Sequence, residues 1–159
     1  MNIKKETLRG PRGLRNNNPL NIRRGNAQWQ GLQPVQDDKQ FCQFITPAMG
    51  FRAAFVLLRR YYVFYGLHTV AQVISRWAPP ADGNDTKGYI RQVTRIANIA
   101  EDHELKDPKA DPLTWLRIVW AMTCVENGSA LRDWPDHELI LTQMVQGMTF
   151  AQVTWKPLP

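Results

Sequence analysis

An asparagine triplet set before a proline, Asn16-Asn17-Asn18-Pro19, constrains this chain more than any other stretch. Carboxamides at successive positions bond to nearby backbone in competition with a helix, and the residue before a proline is pushed out of the α region. The segment is therefore polar and non-helical. It continues as Leu20-Asn21-Ile22, turns at Arg23-Arg24-Gly25-Asn26, and reaches Trp29-Gln30-Gly31, with a phenylalanine-bearing run from Phe41 to Phe44 to answer it. Amides beside a tryptophan suit a sugar-binding wall, because hydroxyls need paired donors and acceptors and sugar rings stack on aromatic faces. An Asx-rich turn leading into a hairpin is the plainer reading of the same residues.

The 159 residues are organised around that stretch as a basic N-terminal arm, 1–15, and a single domain, 16–159. Leu20 and Ile22, Trp29 to Val35, and Gln40 to Ile45 read as short extended pieces of a small hairpin. At Thr46-Pro47 the period changes, with threonine as N-cap and proline at the first helical position. Phe51, Ala54, Phe55, Leu58 and Tyr62 then recur at helical steps as far as Gly66, with Arg52, Arg59 and Arg60 turned away. Thr69 to Gln72 fits a capping box, and Ala78-Pro79-Pro80 closes that short helix. Asp85 caps a helix bearing Tyr89, Ile90 and Val93. Asp111-Pro112 opens another, with Leu116, Val119, Trp120 and Thr123 as its buried stripe and Asn127-Gly128 as its stop. Asp133-Trp134-Pro135 starts a last helix ending at Gly147, and an extended tail follows. The sum is an α+β fold, mainly helical, with one small β-hairpin.

A net charge of +6 points to an anionic partner, and nucleic acid, acidic membrane and bacterial cell wall all qualify. The basic residues crowd the first quarter without forming a run, which makes nucleic acid the weaker reading. Two cysteines, Cys42 and Cys124, cannot form a disulfide framework, and no Cys/His spacing suits a metal; no cofactor is expected. No apolar run follows the early lysines, so neither a signal peptide nor a membrane span is expected, and the protein is expected to stay where it is made or to leave by lysis, by a dedicated apparatus or inside a particle.

Glu126 is the carboxylate that stands out. Continuing the stripe from Thr123 by three puts it on the core-facing side at a helix C-terminus, where desolvation and the negative end of the helix dipole both oppose ionisation. A neutral carboxylic acid at a pocket's lip is what glycosidic cleavage needs to protonate a leaving oxygen. A glutamate reaching water from a frayed helix end is the plainer alternative. Asp37 and Asp38, in the hairpin turn, are candidates for a second carboxylate. Tyr89, at a helix start after a Gly/Asn loop, is the aromatic expected to face a cleft.

The order Asn17-Asn18-Pro19-Leu20-Asn21-Ile22, Trp29-Gln30-Gly31, Phe41 to Phe44, then Ala78 to Tyr89 resembles, over residues 16–95, the middle and C-terminal part of lysozyme-like bacterial glucosaminidases. More closely, residues 10–130, opening with Arg12-Gly13-Leu14-Arg15-Asn16-Asn17-Asn18-Pro19-Leu20-Asn21-Ile22, resemble a group of phage and prophage virion structural proteins. In the lysozyme-like enzymes the catalytic glutamate ends a helix before the Asn-Asn segment; here that helix is missing, and Trp115 to Ala130, with Glu126-Asn127-Gly128, resembles it. The resemblance implies a lysozyme-like domain, circularly permuted, that binds peptidoglycan and cuts its glycan strand by hydrolysis or lytic transglycosylation. It makes Glu126 the general acid, Asp37 or Asp38 a second carboxylate, and Asn17, Asn18, Asn21, Trp29 and Tyr89 the substrate-binding residues. The alternative it leaves open is a non-catalytic virion protein that keeps the scaffold for contact with the wall or with other virion proteins.

Overall fold

The computed structural model describes residues 10–128 and 136–155. Six α-helices carry the fold: α1 (Arg12–Arg15), α2 (Pro47–Tyr65), α3 (Val70–Trp77), α4 (Thr86–Ala97), α5 (Pro112–Asn127) and α6 (His137–Thr154), with a 3-10 turn at Pro80–Asp82. The start signals read from the sequence act as expected. Thr46, Thr69, Asp85 and Asp111 each accept a hydrogen bond from a backbone N–H in the first turn of α2, α3, α4 and α5, and Gly66 ends α2 in the left-handed conformation. The cap proposed at Asp133 to Pro135 lies outside the described residues.

α5 is the central helix, touching α1, α4 and α6. Its buried residues, among them Trp115, Ile118, Met122 and Cys124, surround nearly the whole cylinder, whereas Leu116 and Trp120 of the expected stripe are only half-buried. A helix covered on several sides has no single apolar stripe to read.

α6 differs from the sequence reading. It runs through Gly147 to Thr154, so the segment from Phe150 is helical where an extended tail was expected. Gly147 is an interior contact: a Cβ there would lie 2.6 Å from the Cβ of Phe51 and 2.7 Å from the carbonyl oxygen of Ala48. Glycine at this point permits close approach of two helix backbones, and tertiary packing outweighs its low helix propensity. α2 and α6 run in the same direction, since Gln143 meets the N–H of Ala48, Thr154 meets Arg52, and Trp155 lies under Arg59. Arg52 is consequently buried beneath α6 and does not turn away from it.

Residues 16–45 form no regular hairpin. Antiparallel pairing occurs only as isolated bridges, Arg23 with Phe41 and Leu32 with Phe44. Side-chain amides replace the ladder. Asn17 Nδ2 donates to the carbonyls of Phe44 and Ile45, Asn18 Nδ2 to those of Ile22 and Cys42, and Gln33 Nε2 again to Phe44. Asn17 and Asn21 also take left-handed backbone angles, φ 51° and 52°, which asparagine tolerates better than most residues.

Asn18 bears most on this arrangement, because its Oδ1 also accepts from the N–H of Ile22 at 2.9 Å. Its side chain thus satisfies three buried backbone groups. Asn18→Asp can serve only the donor and leaves two carbonyls facing a carboxylate, so it should lower unfolding free energy by about 3 kcal/mol or more, read by urea denaturation.

Candidate functional site

The end of α5 and the asparagine segment meet at Glu126. Asn127 Nδ2 donates to the carbonyl of Pro19 at 2.6 Å and to that of Thr123 at 3.0 Å, which ties the last turn of α5 to the segment. That fixes the neighbouring side chain. Glu126 Oε2 accepts from Asn21 Nδ2 at 2.8 Å, and Oε1 from the Tyr89 hydroxyl at 3.2 Å. The Trp77 indole is a further hydrogen-bonding neighbour and Arg23 a more remote cation. Three elements therefore converge on one half-buried carboxylate: the left-handed turn at Asn21, the C-terminal end of α3, and the start of α4.

Neither of the two ion pairs among the described residues involves Glu126. Burial raises its pKa above the ordinary carboxylate value, while the bonds from Asn21, Tyr89 and Trp77 and the charge of Arg23 oppose that rise without cancelling it. Tyr89 is pushed well above its own ordinary range, first by burial and then by the adjacent carboxylate, so it stays protonated and remains a donor. The group therefore holds its proton to higher pH than an ordinary carboxylate, and both oxygens keep hydrogen-bond donors once it is ionised.

The other candidates lie elsewhere. Asn17 and Asn18 are fully buried, their amides bonded to backbone, and they shape the segment from inside. Asp38 is held by Arg12 through two hydrogen bonds, at 2.6 and 2.7 Å, and accepts from Asn16 as well. The Arg12 guanidinium drives its pKa far below the usual carboxylate range. Asp37 is exposed on the same turn, where its N–H donates to Gln43. Neither aspartate is among the groups bonded to Glu126. Trp29 is half-buried in a separate depression with Tyr61, Tyr65 and Arg76. Trp77 is legible in the sequence as an apolar residue of the short helix with Val73 and Ile74, and its place beside Glu126 is not. Glu126 lines neither the depression that contains Trp29 nor the adjoining one beside Ser75 and Pro79. Among the described residues no three His, Cys, Asp or Glu side chains stand together as a metal site would require.

Raised ionisation has a consequence for stability. The native state binds the Glu126 proton more tightly than the unfolded chain does, so its stabilising contribution is present in acid and is lost as pH rises through the folded value. Glu126→Gln carries no charge to bury. It should be more stable than wild type at neutral pH and lose that advantage below the ordinary carboxylate range, as measured by denaturation at the two pH values.

No protein-family profile matches the chain. It is 43% identical over 121 residues to Protein P5 of Pseudoalteromonas phage PM2, a match that covers 74% of this chain and 72% of that protein. With that identity over most of both chains, this protein belongs to the family of phage PM2 Protein P5.

Proposed function

We propose that the chain is a phage protein, carried with the virion, that binds bacterial peptidoglycan and cuts its glycan strand with Glu126 as general acid. The observation that carries this reading is the Glu126 carboxylate: half-buried, raised in pKa, and, among the described residues, bonded by the uncharged donors of Asn21 and Tyr89 with Trp77 beside it and in no ion pair. A structural glutamate of this burial is ordinarily paired with a cation, and here the nearest one acts only at a distance. The domain is read as lysozyme-like and circularly permuted, with the isolated bridges of residues 16–45 in the place of the hairpin.

Asp38 is committed to Arg12 and Asp37 stands on the same turn, so the mechanism has one acid among the described residues. That favours lytic transglycosylation. Glu126 gives its proton to the glycosidic oxygen as the bond to C1 breaks. The resulting carboxylate then takes the proton of the same sugar's C6 hydroxyl, as that oxygen closes on C1. The proton returns to Glu126 and no water is consumed. Asn21 and Tyr89 hold the carboxylate oxygens through both steps.

A second reading, a non-catalytic virion component that keeps the scaffold, is favoured by the relative, which is a phage protein, and by the single carboxylate. Muropeptide release from purified peptidoglycan, analysed by mass, separates the two. Wild type should release products one water lighter than hydrolysis gives, and Glu126→Gln should reduce release by about a hundredfold or more. No release by a folded wild-type protein that still binds the wall leaves the structural component standing.

A further inference from the structure

The aromatic and basic residues around Tyr61 and Arg76 are used by no step above. Two depressions meet there, one containing Trp29, Arg60 and Tyr65, the other Ser75 and Pro79, with Tyr61 and Arg76 common to both. They form one trough along the C-terminal half of α2 and the face of α3. Arg76 forms its partition. Its guanidinium lies 3.7 Å from the centre of the Tyr65 ring and 5.2 Å from that of Tyr61, and Arg60 lies 5.8 Å from the Phe64 ring.

Stacking on a ring uses the face of a guanidinium and leaves its N–H edge available to an anion. No aspartate or glutamate lines either depression, and neither arginine belongs to an ion pair among the described residues. The trough is thus a cationic, aromatic-walled surface whose charge is not neutralised from within. It adjoins the Glu126 site through one side chain: the Tyr61 ring packs edge-on against Trp77 at 6.2 Å, and Trp77 neighbours the Glu126 carboxylate.

We propose that this trough takes the carboxylate-bearing peptide substituent of the glycan strand, with Arg76 and Arg60 receiving its carboxylates and Trp29, Tyr61 and Tyr65 its apolar parts. The inference rests on the glycan-strand reading above and names what the site selects. Trp77, the residue after Arg76 in α3, stands between the Glu126 carboxylate and the Tyr61 wall of the trough. A bare polysaccharide would fill the opening at Glu126 and leave the trough empty. Fixed guanidinium edges recognise carboxylates in pairs, so an acidic peptide with more than one carboxylate fits them better than a single anion.

Two measurements decide it. The first titrates protein labelled at its arginine Nε–H groups with N-acetylmuramyl-alanyl-glutamate, with the N-acetylglucosamine dimer, and with a short oligodeoxynucleotide. The expected result is saturable movement of the Arg76 and Arg60 signals by the muramyl peptide alone, with affinity reduced roughly fivefold to tenfold in Arg76→Gln. The second compares release from intact peptidoglycan and from glycan stripped of peptide by an amidase. Wild type should prefer the intact polymer by a similar factor, and Arg76→Gln should bring that ratio close to one. Equal cleavage of both polymers with unmoved arginine signals overturns the trough and leaves the glycan-strand reading intact. Saturable movement with no cleavage of either polymer sinks that reading while the peptide trough survives. Movement by the oligonucleotide as strong as that by the muramyl peptide also overturns the inference, because the surface then recognises phosphate.

Discussion

The carboxamide of Asn127 joins two parts of the chain that are far apart in sequence, and the rest of the site depends on that junction. Its Nδ2 reaches back to Thr123 in its own helix and across to Pro19 in the asparagine segment. The second bond, together with those from Asn21 and Tyr89 to Glu126, holds the last turn of α5 to the rest of the fold. The junction is tight on its other side as well. A Cβ at Gly13 would stand 2.7 Å from Asn21 Oδ1 and 2.8 Å from Asn127 Oδ1. Neither oxygen has a conventional donor, and both lie against the Gly13 Cα, where weak C–H donation is the contact available. Glycine in the Arg-Gly-Leu-Arg stretch is therefore a packing requirement of the site.

Neutral donors and cations have different effects on a buried carboxylate. A guanidinium at contact distance would hold Glu126 ionised at every working pH, as Arg12 does for Asp38. Hydrogen bonds from an amide and a phenol stabilise the anion less than burial destabilises it, so the pKa remains raised. The two acidic groups of this region differ for that reason: one is fixed as an ion that braces α1 against the 37–40 turn, the other is left able to exchange a proton.

Helix boundaries were legible where a cap or a proline marked them, at Thr46-Pro47, Thr69, Asp85 and Asp111. They were not legible at Gly147, because the reason for glycine there is the surface of α2 at Ala48 and Phe51, remote in sequence and adjacent only once the helices pack. Glu126 and Tyr89 could be picked out by position on their helices, and Asn21 by its place in the motif. The functions of Asn17 and Asn18 could not, since an amide facing a sugar and an amide facing a buried carbonyl look alike until the carbonyls of Cys42, Phe44 and Ile45 are located. The place of Trp77 beside Glu126 was hidden for a similar reason. Its partners, Tyr61 and Glu126, come from helices on either side of it in the chain.

The same junction bears on the order of the elements. In the lysozyme-like enzymes that the sequence resembles the glutamate-bearing helix precedes the Asn-Asn segment, whereas in this chain α5 follows it. Yet the Asn127 side chain lies against Gly13 and bonds to Pro19, so the end of α5 and the entry to the segment are neighbours in space. A short connection could join them with little change to the core. Permutation costs little when the ends to be joined are already adjacent at the edge of the packed structure. What the carboxylate, the amide and the phenol require is mutual position, and the bond from Asn127 to Pro19 supplies it without a peptide link between them.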